Sequence, residues 1–276
     1  MTDEALIDAA LAEDLGSGDL SSLHFIPAEA KASARVMARE PGVMAAGQLA
    51  KRVFERVDPA VHCELRLADG SAFEAGQCLL QVAGSARSLL SAERTALNFL
   101  QRLCGVATQA RRYVQAVAGH PVTILDTRKT TPGWRRLEKA AVLAGGASNH
   151  RMGLYDQVML LDNHLAAQGD LTALQQALDQ FAQTHPEVRV QLECDTLEQV
   201  SQFLSLRGVH MLLLDNMSPA QLREAVALNA GRLWLEASGG ITLERIAEVA
   251  ATGVNAISVG ALTHSVRALD LGLDFD

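Results

Sequence analysis

The chain is poor in the residue types on which several classes of protein depend. Aromatic residues make up only 4% of its 276 residues, too few for the stacking platforms that hold single-stranded nucleic acid. Lysine and arginine total 24 against 32 aspartates and glutamates, and the formal charge of −8 argues against a generally basic surface for nucleic acid. No apolar run approaches the roughly 18 residues that a bilayer-spanning helix needs. We therefore expect neither a nucleic-acid partner nor a membrane partner.

The cysteine pattern also excludes some sites. The four cysteines, Cys63, Cys78, Cys104 and Cys194, form no CxxC pair, which argues against a zinc knuckle or a thioredoxin-like motif. The first residues, MTDEALIDAALAEDLG, are acidic and lack the basic region that begins a signal peptide. We expect a cytoplasmic protein with reduced thiols. Because 49% of the residues are apolar and 20% are charged, the chain can bury a sizeable core.

The first hundred residues have the mixed pattern of an α/β unit. A helix is predicted up to the Gly16-Ser17-Gly18 segment, and an extended stretch over 32–39. Asp69-Gly70 predicts a hairpin between 62–67 and the strand-like segments that follow it. Two amphipathic helices, over 87–103 and 108–118, are predicted to lead out of this unit.

From residue 121 onward, short β-rich runs alternate with helical segments. The predicted strands are 122–125, 158–161, 188–192, 211–214, 233–235 and 256–259. Strands that alternate with helices pair in parallel, because each crossover helix covers the sheet. The pattern alone fits either a barrel or a doubly wound sheet.

Polar residues at the strand ends favour the barrel. Nearly every predicted strand is followed by charged or amide side chains, as in Asp126-Thr127-Arg128-Lys129 and Asp162-Asn163-His164. Parallel barrels carry their active-site residues at this rim, whereas a doubly wound sheet concentrates them at one switch point. Strand ends are also exposed and polar for purely structural reasons, but five such ends favour a functional rim.

Four basic residues form the first candidate site. Arg128 and Lys129 follow the first predicted barrel strand, and His150 and Arg151 follow a Gly-Gly loop. Arginine forks and lysine charges suit carboxylates and phosphates, so the cluster predicts a dianionic or polyanionic small ligand. The alternative is that these groups pair with neighbouring acidic residues. Arg94 falls on a predicted apolar stripe, where it either needs a partner, snorkels to the surface, or forms an ion pair in a dimer interface.

Acidic and glycine-rich strand ends form two further candidate sites. Glu193, Asp195, Asp215 and Glu236 follow successive strands and suit Mg2+, ribose hydroxyls or developing positive charge, or else neutralise the basic cluster. A second set of residues predicts a phosphate site near helix amino termini: Ser238, Gly239, Gly240 and Gly260. The chain contains no Walker A motif and no complete dinucleotide fingerprint.

Together these segments resemble the quinolinate phosphoribosyltransferase family, of the type II phosphoribosyltransferases. The resemblance runs from EDLGSGDLSS almost to the carboxyl terminus, and its most specific stretches are ILDTRKTTPGWRRLEKAAVLAGGASNHRMGLYD, LLLDNMSP, LEASGGI and ISVGALTHS. It implies an amino-terminal α/β sandwich domain over 1–100, joined by the carboxyl-terminal segment 266–276. It also implies an incomplete parallel α/β barrel over 101–265.

The resemblance also implies an activity and a role for each residue. The reaction joins quinolinate to phosphoribosyl pyrophosphate with Mg2+ and gives nicotinate mononucleotide, pyrophosphate and CO2. Arg94 would reach the site of a partner in a homodimer, and Arg128, Lys129, His150 and Arg151 would hold the anionic substrates. Glu193 and Asp215 would bind the ribose and the metal, and are expected to act in catalysis with Lys129. Ser238, Gly239, Gly240 and Gly260 would cradle the 5-phosphate.

One position departs from the resemblance. The family has lysine two residues before the Asn of its K-[DE]-N-H motif, where this chain has Leu161. Lys129 or Lys139 is expected to compensate, or else the donor site is weakened. Cys104 also replaces a common serine, which we interpret as packing. Two alternatives to the transferase are a Schiff-base aldolase using Lys129 and a non-catalytic relative, like the molybdenum-transport-associated proteins of this superfamily.

Overall fold

Two units make up the computed structural model, which describes residues 2–168 and 170–276. The first contains the chain up to Arg111 together with Thr130–Gly146 and Ser265–Asp276, and the second contains Arg112–Lys129 and Ala147–His264. Among the described residues, no helix combines the length and the apolar character that a membrane span requires.

The helices and strands alternate along most of the chain. In chain order they are α1 (Asp3–Leu15), α2 (Leu20–Phe25), β1 (Lys31–Ala38), β2 (Gly42–Val43), α3 (Gly47–Val57), β3 (His62–Leu65), β4 (Ala72–Phe73), β5 (Cys78–Ser85), α4 (Ala86–Ala116), β6 (Thr123–Leu125), α5 (Arg135–Ala144), β7 (Val158–Leu160), α6 (Asp162–Gln168), α7 (Leu171–Thr184), β8 (Val190–Cys194), α8 (Leu197–Phe203), β9 (Met211–Asp215), α9 (Pro219–Asn229), β10 (Trp234–Ser238), α10 (Ile246–Ala250), β11 (Ala256–Ser258), α11 (Ala261–His264) and β12 (Leu271–Phe275).

The first unit contains an antiparallel sheet in the order β12-β1-β5-β3 and a short ribbon of β2 and β4. The predicted hairpin is confirmed in part: β3 pairs antiparallel with β5, as expected for the segment over 78–82, whereas β4, the first segment after the Asp69-Gly70 turn, pairs with β2. The Asp69-Gly70 turn also caps a helix. The Asp69 carboxylate accepts hydrogen bonds from the backbone N–H groups of Ala46 and Gly47 at the start of α3, which satisfies donors that a helix terminus leaves unpaired.

The two predicted helices over 87–103 and 108–118 are helical in the structure, but the break between them is wrong, because α4 is continuous for 31 residues. Gly105, between the two predicted segments, lies inside α4, where the absence of a side chain allows close packing. A Cβ atom at this position would collide with the carbonyl oxygen of Arg267. The Cys104 thiol beside it accepts a hydrogen bond from the Ala45 N–H at 3.3 Å. Burial raises the pKa of Cys104 to about 12, which fits a packing role.

The second unit contains six parallel strands in the order β6-β11-β10-β9-β8-β7. In the described part of the chain, the end strands β6 and β7 do not pair with each other, and the sheet confirms the predicted incomplete parallel α/β barrel. The carboxyl ends of all six strands lie at one edge, as parallel pairing requires. Residues that follow different strands are therefore brought together there.

Three of the barrel strands extend further than their apolar runs. β8, β9 and β10 end at Cys194, Asp215 and Ser238, because polar residues continue the parallel pairing after the last apolar one. Capping boxes begin the helices that directly follow two of these strands. Thr196 and Gln199 form the box of α8, and Ser218 and Gln221 form the box of α9. Short, hydrogen-bonded connections of this kind hold the strand-end side chains in fixed positions.

Candidate active site

A cavity of about 300 Å³ lies at the carboxyl edge of the barrel sheet. Its basic wall is formed by Arg128, Lys129, His150 and Arg151, together with Thr127. An apolar wall is formed by Met159, Leu161 and Leu213, and the remaining lining residues are Glu236, Ser238 and Ser258. One wall thus suits anionic groups and another suits a flat apolar surface.

The loop that carries His150 and Arg151 is tied to the end of β6. Asp126 is fully buried, and its Oδ1 accepts a hydrogen bond from the His150 N–H at 2.7 Å. The Asp126 N–H in turn donates to the Ser148 carbonyl at 3.1 Å. Two basic pairs that are distant in sequence therefore meet because one buried carboxylate holds both loops.

Arg151 is held close to a like charge. Burial and the neighbouring positive charge of Arg128 hold the pKa of Arg151 below its ordinary value. The guanidinium Nη1 donates to the Gln157 carbonyl at 3.1 Å. Because two guanidinium groups repel each other, an anion between them would be stabilised by both.

Glu236 lies among the cavity residues but not in the acidic cluster that the sequence predicted. It is 1% exposed, and its Oε2 accepts hydrogen bonds from Gln191 at 2.8 Å and from His150 at 3.2 Å. Its Oε1 has no hydrogen-bond partner among the described residues. Burial acts to raise the pKa of Glu236, but the hydrogen bonds from His150 and Gln191 hold it below its ordinary value, so this buried carboxyl is ionised at neutral pH.

The other three acidic residues do lie together. Carboxylate oxygens of Glu193, Asp195 and Asp215 are within 4.8 Å of one another. Burial raises the pKa of both Glu193 and Asp215, and negative charges in the cluster raise it further. Lys129 opposes this effect at Asp215. Oxygen ligands that repel one another in this way suit a hard cation such as Mg2+, which would relieve the repulsion.

The predicted phosphate loops have the backbone that such a site needs. Gly239 and Gly240 follow β10 with φ of 87° and 58°, a region that favours glycine. A Cβ atom on Gly239 would lie 2.7 Å from the Asn216 backbone nitrogen, and one on Gly260 would lie 3.0 Å from the Lys129 side chain. The glycine after β11 therefore lets its loop approach the basic wall.

Two residues are placed differently from the sequence interpretation. Arg94 is exposed on α4, so its predicted position on a buried apolar stripe is wrong. The buried face of that helix is formed by Leu89, Ala92, Ala96 and Leu100. Lys139, one of the two residues expected to compensate for Leu161, is buried in α5 of the first unit, whereas Lys129 lines the cavity with Leu161.

Sequence reasoning did not identify the glutamines that support the cavity. Gln191 is fully buried within β8, and its Oε1 accepts a hydrogen bond from the Gln157 side chain at 3.0 Å. The sequence signal for Gln191 was a polar residue within an otherwise apolar strand. Its partners on other strands could not be read from the pattern.

Comparison with known proteins agrees with this geometry. The family model of the quinolinate phosphoribosyl transferase C-terminal domain matches residues 106–274, and the N-terminal domain model matches residues 19–104. A nicotinate-nucleotide pyrophosphorylase [carboxylating] of Oryza sativa is 41% identical over 99% of this chain and 77% of its own length. A probable enzyme of the same name from Bacillus subtilis is 40% identical over 98% of this chain and 92% of its own length.

Solved structures give the same result. The nicotinate-nucleotide pyrophosphorylase of Ehrlichia chaffeensis has a TM-score of 0.93 and 35% identity, covering 100% of this chain and 99% of that one. The corresponding protein of Francisella tularensis has a TM-score of 0.92 and 31% identity, with coverage of 100% and 98%. The chain therefore belongs to the quinolinate phosphoribosyltransferase family.

Proposed function

We propose that this protein transfers a phosphoribosyl group from phosphoribosyl pyrophosphate to quinolinate, and so belongs to NAD biosynthesis. The bond from the ribose anomeric carbon to pyrophosphate breaks as a bond to the pyridine nitrogen forms. The 2-carboxylate then leaves as CO2, its bonding electrons are stabilised by the pyridinium, and the ring carbon takes up a proton. The products are nicotinate mononucleotide, pyrophosphate and CO2.

The observation that carries the proposal is a cationic wall beside an acidic cluster at one edge of a parallel sheet, in a chain of this family. The cationic wall suits the two carboxylates of quinolinate, and the apolar wall of Met159, Leu161 and Leu213 suits its planar ring. The wall residues Arg128, Lys129 and Arg151 bind anions, so the protein acts through positioning and electrostatics. Family membership supports this transferase rather than the aldolase or the non-catalytic relative.

The acidic cluster fits Mg2+. Glu193 and Asp215 hold the ion in this proposal, and Asp195 adds a third carboxylate within the same 4.8 Å. When bound, Mg2+ neutralises charge on the departing pyrophosphate. Apart from the metal, the positive charge of Lys129 opposes the rise in the pKa of Asp215 and so favours the ionised carboxylate near the ribose. Ionised carboxylates there stabilise positive charge that develops on the sugar ring.

The phosphate group of the donor binds at the glycine loops in this proposal. Ser238 lines the cavity, and the positive φ angles of Gly239 and Gly240 expose backbone N–H groups to an anion. Gly260 precedes α11 and closes the same site from the neighbouring strand.

A homodimer with a shared site is part of the proposal. Phe25 and Tyr155 are 83% and 80% exposed, and large apolar side chains of this kind are covered in interfaces. Arg94 of the partner subunit then supplies another positive charge to the cavity. Mixing an R94A variant with an R151M variant tests this: at a low quinolinate concentration, a rate above that of either variant alone is regained only if one site draws on both subunits.

The cytoplasmic location stays a prediction. The names of the plant relatives place them in chloroplasts or mitochondria, and those names describe the plant proteins.

The activity is tested by incubating purified protein with quinolinate, phosphoribosyl pyrophosphate and Mg2+. Chromatography with mass detection should show nicotinate mononucleotide, and none should form when either substrate is omitted. An E224Q variant, which changes an exposed glutamate of α9, is a matched control and should retain the activity. Absence of product from folded dimer would overturn the proposal.

A further inference from the structure

The two ring nitrogens of His150 are both engaged inside the protein. Nδ1 accepts a hydrogen bond from the Arg151 backbone N–H at 2.7 Å. A nitrogen that accepts a hydrogen bond from an N–H group carries no proton itself. The ring proton is therefore on Nε2, which donates it to Glu236 Oε2 at 3.2 Å. The hydrogen-bond partners thus fix one tautomer.

Glu236 is also bonded to one glutamine, which is bonded in turn to a second. The Gln191 side-chain nitrogen donates to the same Oε2 at 2.8 Å. The Gln191 side-chain oxygen accepts from the Gln157 side chain at 3.0 Å. The Gln157 backbone carbonyl then accepts from the Arg151 guanidinium at 3.1 Å.

These hydrogen bonds form a closed circuit that begins and ends at Arg151. It runs from the Arg151 N–H through His150, Glu236, Gln191 and Gln157 to the Arg151 guanidinium. The circuit matters because the Arg151 guanidinium lies near Arg128, whose positive charge repels it. Repulsion alone would move Arg151 outward into solvent, where it would lose its aim into the cavity.

We infer that Glu236 is a positioning residue that holds His150 as the Nε2–H tautomer and, through the circuit, aims the Arg151 guanidinium at the anionic substrate. The aim of Arg151 at quinolinate rests on the proposed function, whereas the tautomer does not. In this assignment His150 acts through Glu236 and Arg151, because both of its ring nitrogens have protein partners.

A carboxylate at position 236 holds its hydrogen-bond donors more strongly than an amide would. Hydrogen bonds to a charged acceptor are stronger than neutral ones, and the negative charge lies beside a wall that holds Arg128 and Arg151. An E236Q variant keeps the size of the side chain and one acceptor oxygen for both His150 and Gln191. It therefore removes the charge while leaving the circuit connected.

The tautomer is tested directly by nitrogen NMR. In ¹⁵N-labelled protein, the Nδ1 resonance of His150 should lie in the unprotonated range and the Nε2 resonance in the protonated range. An H150N variant assigns the signals by their disappearance. Protonation of Nδ1 at neutral pH would overturn the inference, and this result would not depend on whether the protein turns over any substrate.

Positioning is tested by steady-state kinetics of E236Q, with E224Q as the matched loss of one exposed carboxylate. We expect E236Q to raise KM for quinolinate about tenfold, the difference between a charged and a neutral acceptor, with kcat and the KM for phosphoribosyl pyrophosphate nearly unchanged. A Q157M variant opens the circuit at a less buried residue and should shift the same KM.

A general structural role would give a different pattern. Equal loss in both KM values with a lower Tm, or no change from either E236Q or Q157M, would overturn the inference. Wild-type protein that forms no product would instead contradict the proposed function, and the NMR result would still decide the tautomer.

Discussion

Gly239 offers a sharp test of the phosphate loop, because its neighbour Gly240 is a natural control. Both residues have positive φ, 87° and 58°, so alanine costs about 1–2 kcal/mol of backbone strain at either position. The surroundings differ. A Cβ atom on Gly239 would collide with the Asn216 side chain and lie 2.7 Å from its backbone nitrogen, whereas one on Gly240 meets nothing within 4 Å.

The collision adds an overpacking cost of about 1–3 kcal/mol at Gly239 alone. Since 1 kcal/mol shifts Tm by about 2–4 °C in chains of this size class, G239A should melt about 2–12 °C below G240A. Displacement of the loop should also raise the KM for phosphoribosyl pyrophosphate in G239A beyond that of G240A. Differential scanning calorimetry and initial rates measure the two effects.

A second substitution identifies the cause. N216G removes the side chain that the new methyl group would strike and suits the positive φ of 55° at that position. The double variant G239A/N216G should therefore recover part of the lost Tm. Equal Tm and equal KM in G239A and G240A would refute the packing argument.

Further predictions concern the cavity and the acidic cluster of Glu193, Asp195 and Asp215. R151M should raise KM for quinolinate roughly 10- to 150-fold, because a charge-assisted contact worth about 1.5–3 kcal/mol is lost; initial rates check this, and an unchanged KM contradicts it. Because the pKa of both Glu193 and Asp215 is raised, protons should displace Mg2+ at a higher pH than they would from ordinary carboxylates. D195N removes a charge that raises the pKa of Asp215. Calorimetric titration should therefore show that this variant loses Mg2+ at a lower pH. At a pH above the raised pKa values, the repulsion between these ionised carboxylates destabilises the metal-free protein. D195N should therefore raise Tm at pH 8, and a lower Tm would contradict the repulsion. L161K should lower KM for phosphoribosyl pyrophosphate about fivefold by adding a cation to the cavity, an effect that high salt should weaken; a KM that rises would show that the leucine is required.

The barrel and most of its rim were readable from the sequence for one physical reason. Parallel strands separated by helices place every strand's carboxyl end at one edge, so residues as distant as Arg128 and Ser238 were predicted to meet. Both line the cavity. The helix end at Gly16 was equally local, since its φ of 51° suits glycine.

Long-range partners were not readable. Nothing local shows that β4, which follows the Asp69-Gly70 turn, pairs with β2 and not with β3, or that the turn bonds the distant N–H groups of α3. The sequence predicted a gap between two helices around Gly105, where the structure has one continuous helix whose glycine packs against Arg267. The separation of Glu236 from the acidic cluster depends on the buried Gln191 of another strand and its partner Gln157, which the strand pattern does not reveal.

The central claim is that one cavity couples phosphoribosyl transfer to decarboxylation. Quinolinate labelled with ¹⁴C in its 2-carboxylate, incubated with the protein, Mg2+ and phosphoribosyl pyrophosphate, measures this directly. The account predicts that labelled CO2 and pyrophosphate appear in equal amounts, and that no CO2 is released without the donor. Release of CO2 without the donor, or of pyrophosphate without CO2 while quinolinate is consumed, would contradict it.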